Sequence, residues 1–304
     1  MIRLTVVALA ALALAGCGAR DEALSPGPGH PLRVAMSPLN TGEGAVYAAQ
    51  AGGQFKASGL AVRLSQSPDP ASALRQVQVG KADLAVTTEP DLLEARGRGA
   101  RVVSVAALVQ SPFTSLIGPG LSVRSVLALA TKPIGTEGFD YQRAFADTIF
   151  KKARVVDVGS NLGAALSSKK VAAVIAPFGG PSLPPGVKPI PVDRIGVPSF
   201  SEYVVVANQE AITRDGDAIR SFVGALARGT RNLGAVKQGR LGAVLRGPEA
   251  TRVRALMLPP HGKPYGWQEP ARWRAFAAWM RAHGLSQKGS AGAFTNSLLP
   301  GEGL

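Results

Sequence analysis

The chain has 304 residues, 46% of them apolar, one cysteine, and a formal net charge of +14 carried by 34 Lys and Arg against 20 Asp and Glu. A lone cysteine excludes a disulfide within the chain, so stability rests on burial, and the length suits two lobes with separate cores and a cleft between them. The basic residues are scattered rather than gathered with aromatics on one stripe, which argues against a nucleic-acid partner. Attraction to an anionic lipid or wall surface and a plain bias of composition towards Arg and Ala both stay open.

Met1-Ile2-Arg3 forms a short positive start, Leu4 to Ala13 an apolar run, and Ala15-Gly16 a small-residue pair ahead of Cys17. The run is too short to span a bilayer, and the order is that of an export leader over residues 1–16. The pattern resembles the bacterial lipoprotein signal, which implies lipidation of Cys17 and anchoring to the cell membrane on its extracytoplasmic face. An ordinary secretory signal with a chance cysteine is the alternative, and either reading exports the chain. Residues 17–31, centred on Ser25-Pro26-Gly27-Pro28-Gly29, read as a flexible tether.

From Leu32 short β-branched runs alternate with helical stretches: Arg33–Met36, Ala45–Phe55, Ala61–Leu64, Pro70–Val79, Ala82–Val86 and Arg101–Leu108. This is βαβ logic, and it predicts an α/β fold. Gly118-Pro119-Gly120 reads as a lobe boundary, followed by strands at Lys132–Gly135, Val155–Val158 and Val171–Ile175. After Val204–Ala207 the texture turns helical, with Ile219, Phe222, Val223 and Leu226, then Trp273, Phe276, Ala277 and Met280, on core-facing stripes. The expected domains are 32–118 plus 207–304 for one lobe and 119–206 for the other, with the hinge at Phe113–Gly120 and Val206–Gln209.

Asn40, Tyr47–Phe55 with Gly59-Leu60, Gly80–Val86 with Glu89–Leu93, Gln110–Ser115, Gly135–Gly138, Gly196–Glu202 and Phe294–Asn296 resemble, in that order, the blocks of ABC-transporter solute-binding proteins for thiamine pyrimidine precursors, riboflavin and sulfonates. The resemblance implies a two-lobed periplasmic-binding-protein-like fold of type II with a hinged ligand cleft. It also implies a monomer that hands a small molecule to an ABC permease. Pyrimidine-precursor binders of this type usually show a histidine three residues after the Asn, where this chain has Glu43, and a tyrosine where it has Phe200. A synthase that shares the fold makes its pyrimidine from its own histidine, with a bound cofactor and a cysteine-rich motif. Cys17 is the sole cysteine here, so the resemblance implies a binding protein with no cofactor and no metal rather than an enzyme.

Open α/β sheets bind ligands at the C-terminal ends of their strands, which directs attention to Ser37–Gly44, Thr87–Glu89, Gly135–Tyr141, Ala176–Gly180 and Pro198–Glu202. Asn40 and Glu202 offer the donor and acceptor pattern that an aminopyrimidine or imide edge needs. Phe113, Tyr141, Phe178 and Phe200 are candidate ring walls, with Glu43, Thr88 and Thr136 beside them. Asn40 alternatively shapes a turn, Glu202 alternatively sits on a strand end, and any single aromatic alternatively packs a core. Thr136-Glu137-Gly138 ahead of a helix could receive an anion at its N–H groups, but Glu89, Glu137 and Glu202 would repel it. A non-transport sensor lipoprotein stays as the third class.

Overall fold

The computed structural model describes residues 30–38, 40–151, 153–177, 187–233 and 248–301. Residues 1–29, which hold the expected leader, Cys17 and most of the expected tether, and Phe178 lie outside the described residues. Two five-stranded mixed sheets form the frame. In the first, β2 (Val62–Gln66), β1 (Leu32–Met36) and β3 (Leu84–Thr87) run parallel. The reversed strand β10 (Tyr203–Asn208) sits between β3 and the edge strand β4 (Val102–Val109). In the second, β7 (Arg154–Asp157), β6 (Pro133–Thr136) and β8 (Ala173–Pro177) run parallel. There the reversed strand is β5 (Thr114–Pro119), between β8 and the edge strand β9 (Val187–Pro191).

The two reversed strands are the ones that follow each passage between sheets. The chain leaves β4 at the edge of the first sheet and enters the second as β5, then returns from the second to the first as β10. The sequence reading ends the first lobe at Gly118 and carries the second to Val206; the pairing corrects both limits. β5 hydrogen-bonds within the second sheet and β10 within the first, so the crossings lie at about 110–113 and 195–202. A Gly-Pro-Gly turn marks the end of a strand as readily as the end of a lobe.

β3 and β4 are buried along their whole length, as expected of strands covered on both faces. The covering helices are α1 (Gly44–Ala51), α2 (Gln54–Ala57), α3 (Pro70–Gln78), α4 (Glu89–Gly97), α7 (Gln209–Arg231), α8 (Pro248–Leu256) and α9 (Pro270–Ala282) around the first sheet. α5 (Asp140–Phe150) and α6 (Leu162–Ser167) belong to the second. Asp69 and Thr88 cap α3 and α4 through their side chains, each with Pro in the first turn. α7 carries its Ile219, Phe222, Val223 and Leu226 stripe into the core, where Phe222 stacks on Phe55 with ring centres 5.0 Å apart.

Phe200, on the second crossing, stacks between Phe145 of α5 at 5.4 Å and Phe276 of α9 at 4.7 Å. Trp279 extends the stack and donates its indole N–H to Thr148 of α5 at 3.1 Å. One apolar cluster therefore runs from the first sheet through α9 into the second lobe. No helix among the described residues is long and apolar enough to cross a membrane.

Candidate functional site

The ends of β1, β3, β4 and β6 and the starts of β5 and β10 meet at the junction of the two sheets. After β1 the chain turns at Ser37 and enters the short helical turn Thr41–Glu43, which leads into α1. Asn40 shapes this turn: its amide donates to Ser37 Oγ at 3.2 Å and to the Pro38 carbonyl at 3.0 Å, while its oxygen accepts from Glu43 N–H at 3.1 Å. Glu43 is fully buried, and its Oε1 accepts from Ser37 N–H at 3.0 Å and Ser37 O–H at 2.8 Å. Gly42 lies against the ring of Tyr203 and near Phe113, where an added Cβ would stand 3.1 Å from Phe113 Cζ. That close approach explains a glycine here.

Glu202 joins the crossings. Its Oε2 accepts the backbone N–H groups of Phe113 at 2.9 Å and Thr114 at 2.8 Å, and its Oε1 accepts the Thr114 hydroxyl at 2.6 Å. Glu89, at the start of α4, likewise accepts Ser201 N–H at 2.7 Å. Thr88 serves α4 as its cap, accepting from Asp91 N–H at 3.1 Å and donating to Asp91 Oδ2 at 2.7 Å. Thr136 is buried at the end of β6. Tyr141, in the first turn of α5, stacks on Phe139 at 5.4 Å and meets Phe145 at 5.7 Å. Phe113 faces Tyr203 at 6.0 Å. Phe200 lies in the aromatic stack described above rather than beside Phe113.

The electrostatics of this junction are acidic. Burial raises the pKa of Glu43 to about 8, Glu202 and Glu89 to about 7, and Asp91 to about 6. Burial also pushes Tyr141 and Tyr203 well above the ordinary phenol value, and Asp91, Glu137 and Glu202 add to the shift of both. Cations stand on the flanks of this group: Arg75 and Arg98 act on Asp91, and Arg272 acts on Glu89. The loop before α5 is equally unsuited to an anion. Glu137 N–H donates to the Gln142 side chain at 2.8 Å, and the left-handed Gly138 sits where a Cβ would be 2.7 Å from Asp157 Oδ2. A cavity of about 1030 Å³ runs between α3 and α4, passes Asp91 and Glu94, and reaches Phe139 and Asp140 of the second lobe. It brings solvent to the edge of the Phe139–Tyr141 stack but does not include Asn40, Glu43 or Glu202.

Among the described residues no group of three or more His, Cys, Asp or Glu is arranged to hold a metal ion. Sequence reasoning passed over Ser37 and Tyr203 as individual site residues. Tyr203 was legible only as the residue opening a β-branched strand, and Ser37 only as part of a loop.

Two α/β lobes joined by two crossings define a periplasmic-binding-protein fold. Solved structures with this fold include the alkanesulfonate-binding protein SsuA from Xanthomonas axonopodis pv. citri bound to MOPS, with a TM-score of 0.65 and 16% identity over 87% of this chain and 98% of that one. Another is the ligand-binding component of an ABC-type import system from Staphylococcus aureus, with a TM-score of 0.67 and 13% identity over 88% of this chain and 97% of that one. These likenesses establish the fold alone. The chain belongs to the NMT1/THI5-like family, whose model matches residues 40–235. It is 24% identical to a formylaminopyrimidine-binding protein of Halalkalibacterium halodurans over 78% of this chain and 80% of that protein. It is 27% identical to a putative thiamine biosynthesis protein of Haemophilus influenzae, over 58% of this chain and 60% of the relative's length. A 4-amino-5-hydroxymethyl-2-methylpyrimidine phosphate synthase of Saccharomyces cerevisiae is 24% identical over 61% of each chain.

Proposed function

We propose that this protein is the solute-binding component of an ABC importer, anchored through Cys17 on the extracytoplasmic face of the cell membrane. It captures an uncharged nitrogen heterocycle of the thiamine-pyrimidine-precursor type, as a monomer, and delivers it to a permease. The observation that carries the ligand class is the convergence of Asp91, Glu137 and Glu202 on the Tyr141–Tyr203 region, an excess of carboxylates that Arg75 and Arg98 offset only at Asp91 among the groups acting there. Such a site repels a sulfonate or phosphate and suits a ring with hydrogen-bonding edges. Membership of the NMT1/THI5-like family and the likeness to a formylaminopyrimidine-binding protein support the same reading.

In this reading Glu43, Thr136, Tyr141 and Tyr203 face the ring, and Phe113 supplies a wall. Asn40 and Thr88 hold the loops that carry them, Glu202 ties the crossings, and Phe178 lies outside the described residues. In this reading the site binds and releases rather than transforms, because Cys17 is the sole cysteine of the chain and the synthase that shares the fold uses a cysteine-rich motif. A thermal-shift screen of the soluble part from Asp21 tests this with 4-amino-5-hydroxymethyl-2-methylpyrimidine, riboflavin, taurine and ethanesulfonate. A ligand that binds the native state alone raises the melting temperature. The expected result is a rise with the pyrimidine and none with the sulfonates; a rise with sulfonates alone overturns the ligand class.

A further inference from the structure

One buried group at the junction has half of its hydrogen-bonding capacity unmet. Glu43 Oε1 is held by two Ser37 donors, whereas Oε2 is buried with no hydrogen-bond partner. The groups that face this carboxyl are Ser37 and Asn40 of its own loop, Tyr47 of α1 and Tyr203 of β10. α8 also packs on this turn, with Arg252 and Arg254 exposed to solvent. No cation is among the groups that act on Glu43. A carboxyl buried without a cation stays neutral, and one whose first oxygen already accepts two hydrogen bonds carries its proton on the second. The elevated pKa of Glu43, about 8, agrees with a neutral acid at pH 7.

We propose that Glu43 is the specificity-determining residue of the cleft: Oε2, fixed as an O–H donor by the two Ser37 hydrogen bonds to Oε1, donates to an unprotonated ring nitrogen of the ligand. The inference rests on the heterocycle reading above and narrows it, because the required feature becomes a ring-nitrogen acceptor rather than an exocyclic amine. The place suits the task. Gly42, immediately before Glu43, lies against Tyr203 of β10 and near Phe113 of the first crossing, so Glu43 sits where both connections between the sheets come together. The neutral acid also adds no negative charge to a region that already holds Asp91, Glu137 and Glu202.

Calorimetric titration of the mature protein at pH 7 tests the assignment, with 4-amino-5-hydroxymethyl-2-methylpyrimidine and its carbocyclic analogue, in which C–H replaces both ring nitrogens. In Glu43→Gln the amide oxygen keeps the Ser37 bonds and the amide N–H takes the place of the O–H. That variant is expected to bind the pyrimidine within about threefold of the wild type, and Glu43→Leu at least about tenfold more weakly. The wild type is expected to bind the carbocycle at least about tenfold more weakly than the pyrimidine, and Glu43→Leu is expected to bind the two alike. Pyrimidine affinity of the wild type falls above about pH 8 as Glu43 ionises, while that of Glu43→Gln stays flat. Glu43→Gln binding as weakly as Glu43→Leu overturns the proposal, since Oε2 would then be a charged acceptor. Glu43→Leu binding as tightly as the wild type also overturns it, and removes Glu43 from the site while leaving the heterocycle reading intact. A wild-type protein that ignores the pyrimidine overturns both together. Matching unfolding transitions of the three proteins exclude misfolding as the cause of a loss.

Discussion

Glu202 on the second crossing accepts the backbone N–H of Phe113 on the first, at 2.9 Å. With Thr114 N–H and O–H on the same carboxyl, one side chain ties the two strands on which the lobes would turn relative to each other. Glu89 extends the tie to α4 through Ser201. Two buried carboxyls therefore occupy hinge positions where the family resemblance leads one to look for ligand contacts.

Removing the Glu202 tie leaves two buried backbone donors without an acceptor. Glu202→Ala is expected to lower unfolding free energy by about 2–4 kcal/mol, and Glu202→Gln by less, because an amide oxygen retains part of the set. Denaturant unfolding measures it; a change below about 0.5 kcal/mol for Glu202→Ala would contradict the tie.

The pH dependence of stability follows from the direction of the shifts. Glu43, Glu89 and Glu202 have folded pKa values of about 8, 7 and 7, above the ordinary 4.5. The folded state binds these protons more tightly than the unfolded state. Their contribution is fully present below about pH 4.5 and is lost as pH rises through the folded values. Melting temperature is expected to fall between pH 6 and 8.5, and Glu43→Gln to flatten the upper part of that fall. A melting temperature that rises through this window would contradict the account.

Gly229 of α7 lies where an added Cβ would stand 2.5 Å from the Ala45 carbonyl and 2.8 Å from Ala49 N. Gly229→Ala gains helix propensity but forces α7 away from α1, the helix that follows Glu43 in the chain. Overpacking is expected to win, destabilising by about 1–3 kcal/mol in chemical denaturation. A stabilised variant would show that the α1–α7 approach is loose.

Phe200→Ala opens a hole between Phe145 and Phe276, on the seam that joins α5 to α9. The expected loss is about 3–5 kcal/mol in unfolding free energy. Phe200→Tyr offers a contrast, since its hydroxyl would enter a site that is 1% exposed. It should also destabilise, since the ring is already stacked between Phe145 and Phe276.

Periodicity made most elements legible. The runs at Arg33–Met36, Ala82–Val86 and Val204–Ala207 fall on β1, β3 and β10, and the stripes at Ile219–Leu226 and Trp273–Met280 fall on α7 and α9. Ala45–Phe55 reads as one helix but divides into α1 and α2, because Gly53 takes a left-handed conformation at the break. Strand partners are not a local property. Nothing in Thr114–Pro119 announces that it pairs with Ala173–Pro177, so the lobe boundary was misplaced, and β9 went unread for the same reason. At the site, the chemistry of Asn40, Glu43 and Glu202 was legible as residue types, but their hydrogen-bond partners were not. Asn40 turned inward to its own loop and Glu202 to a strand 88 residues away. Phe200 could not be told from a ring wall because core and cleft aromatics share one local pattern.

The central claim is that an acid-lined junction accepts an uncharged ring and rejects an anion. Comparing the affinities of 4-amino-5-hydroxymethyl-2-methylpyrimidine and its phosphate ester for the protein from Asp21 onward tests it most directly, because the two differ only by the charged group. The account predicts that the phosphate binds at least about a hundredfold more weakly, since Asp91, Glu137 and Glu202 together repel it and Arg75 and Arg98 offset Asp91 in part. Equal or tighter binding of the phosphate would contradict it.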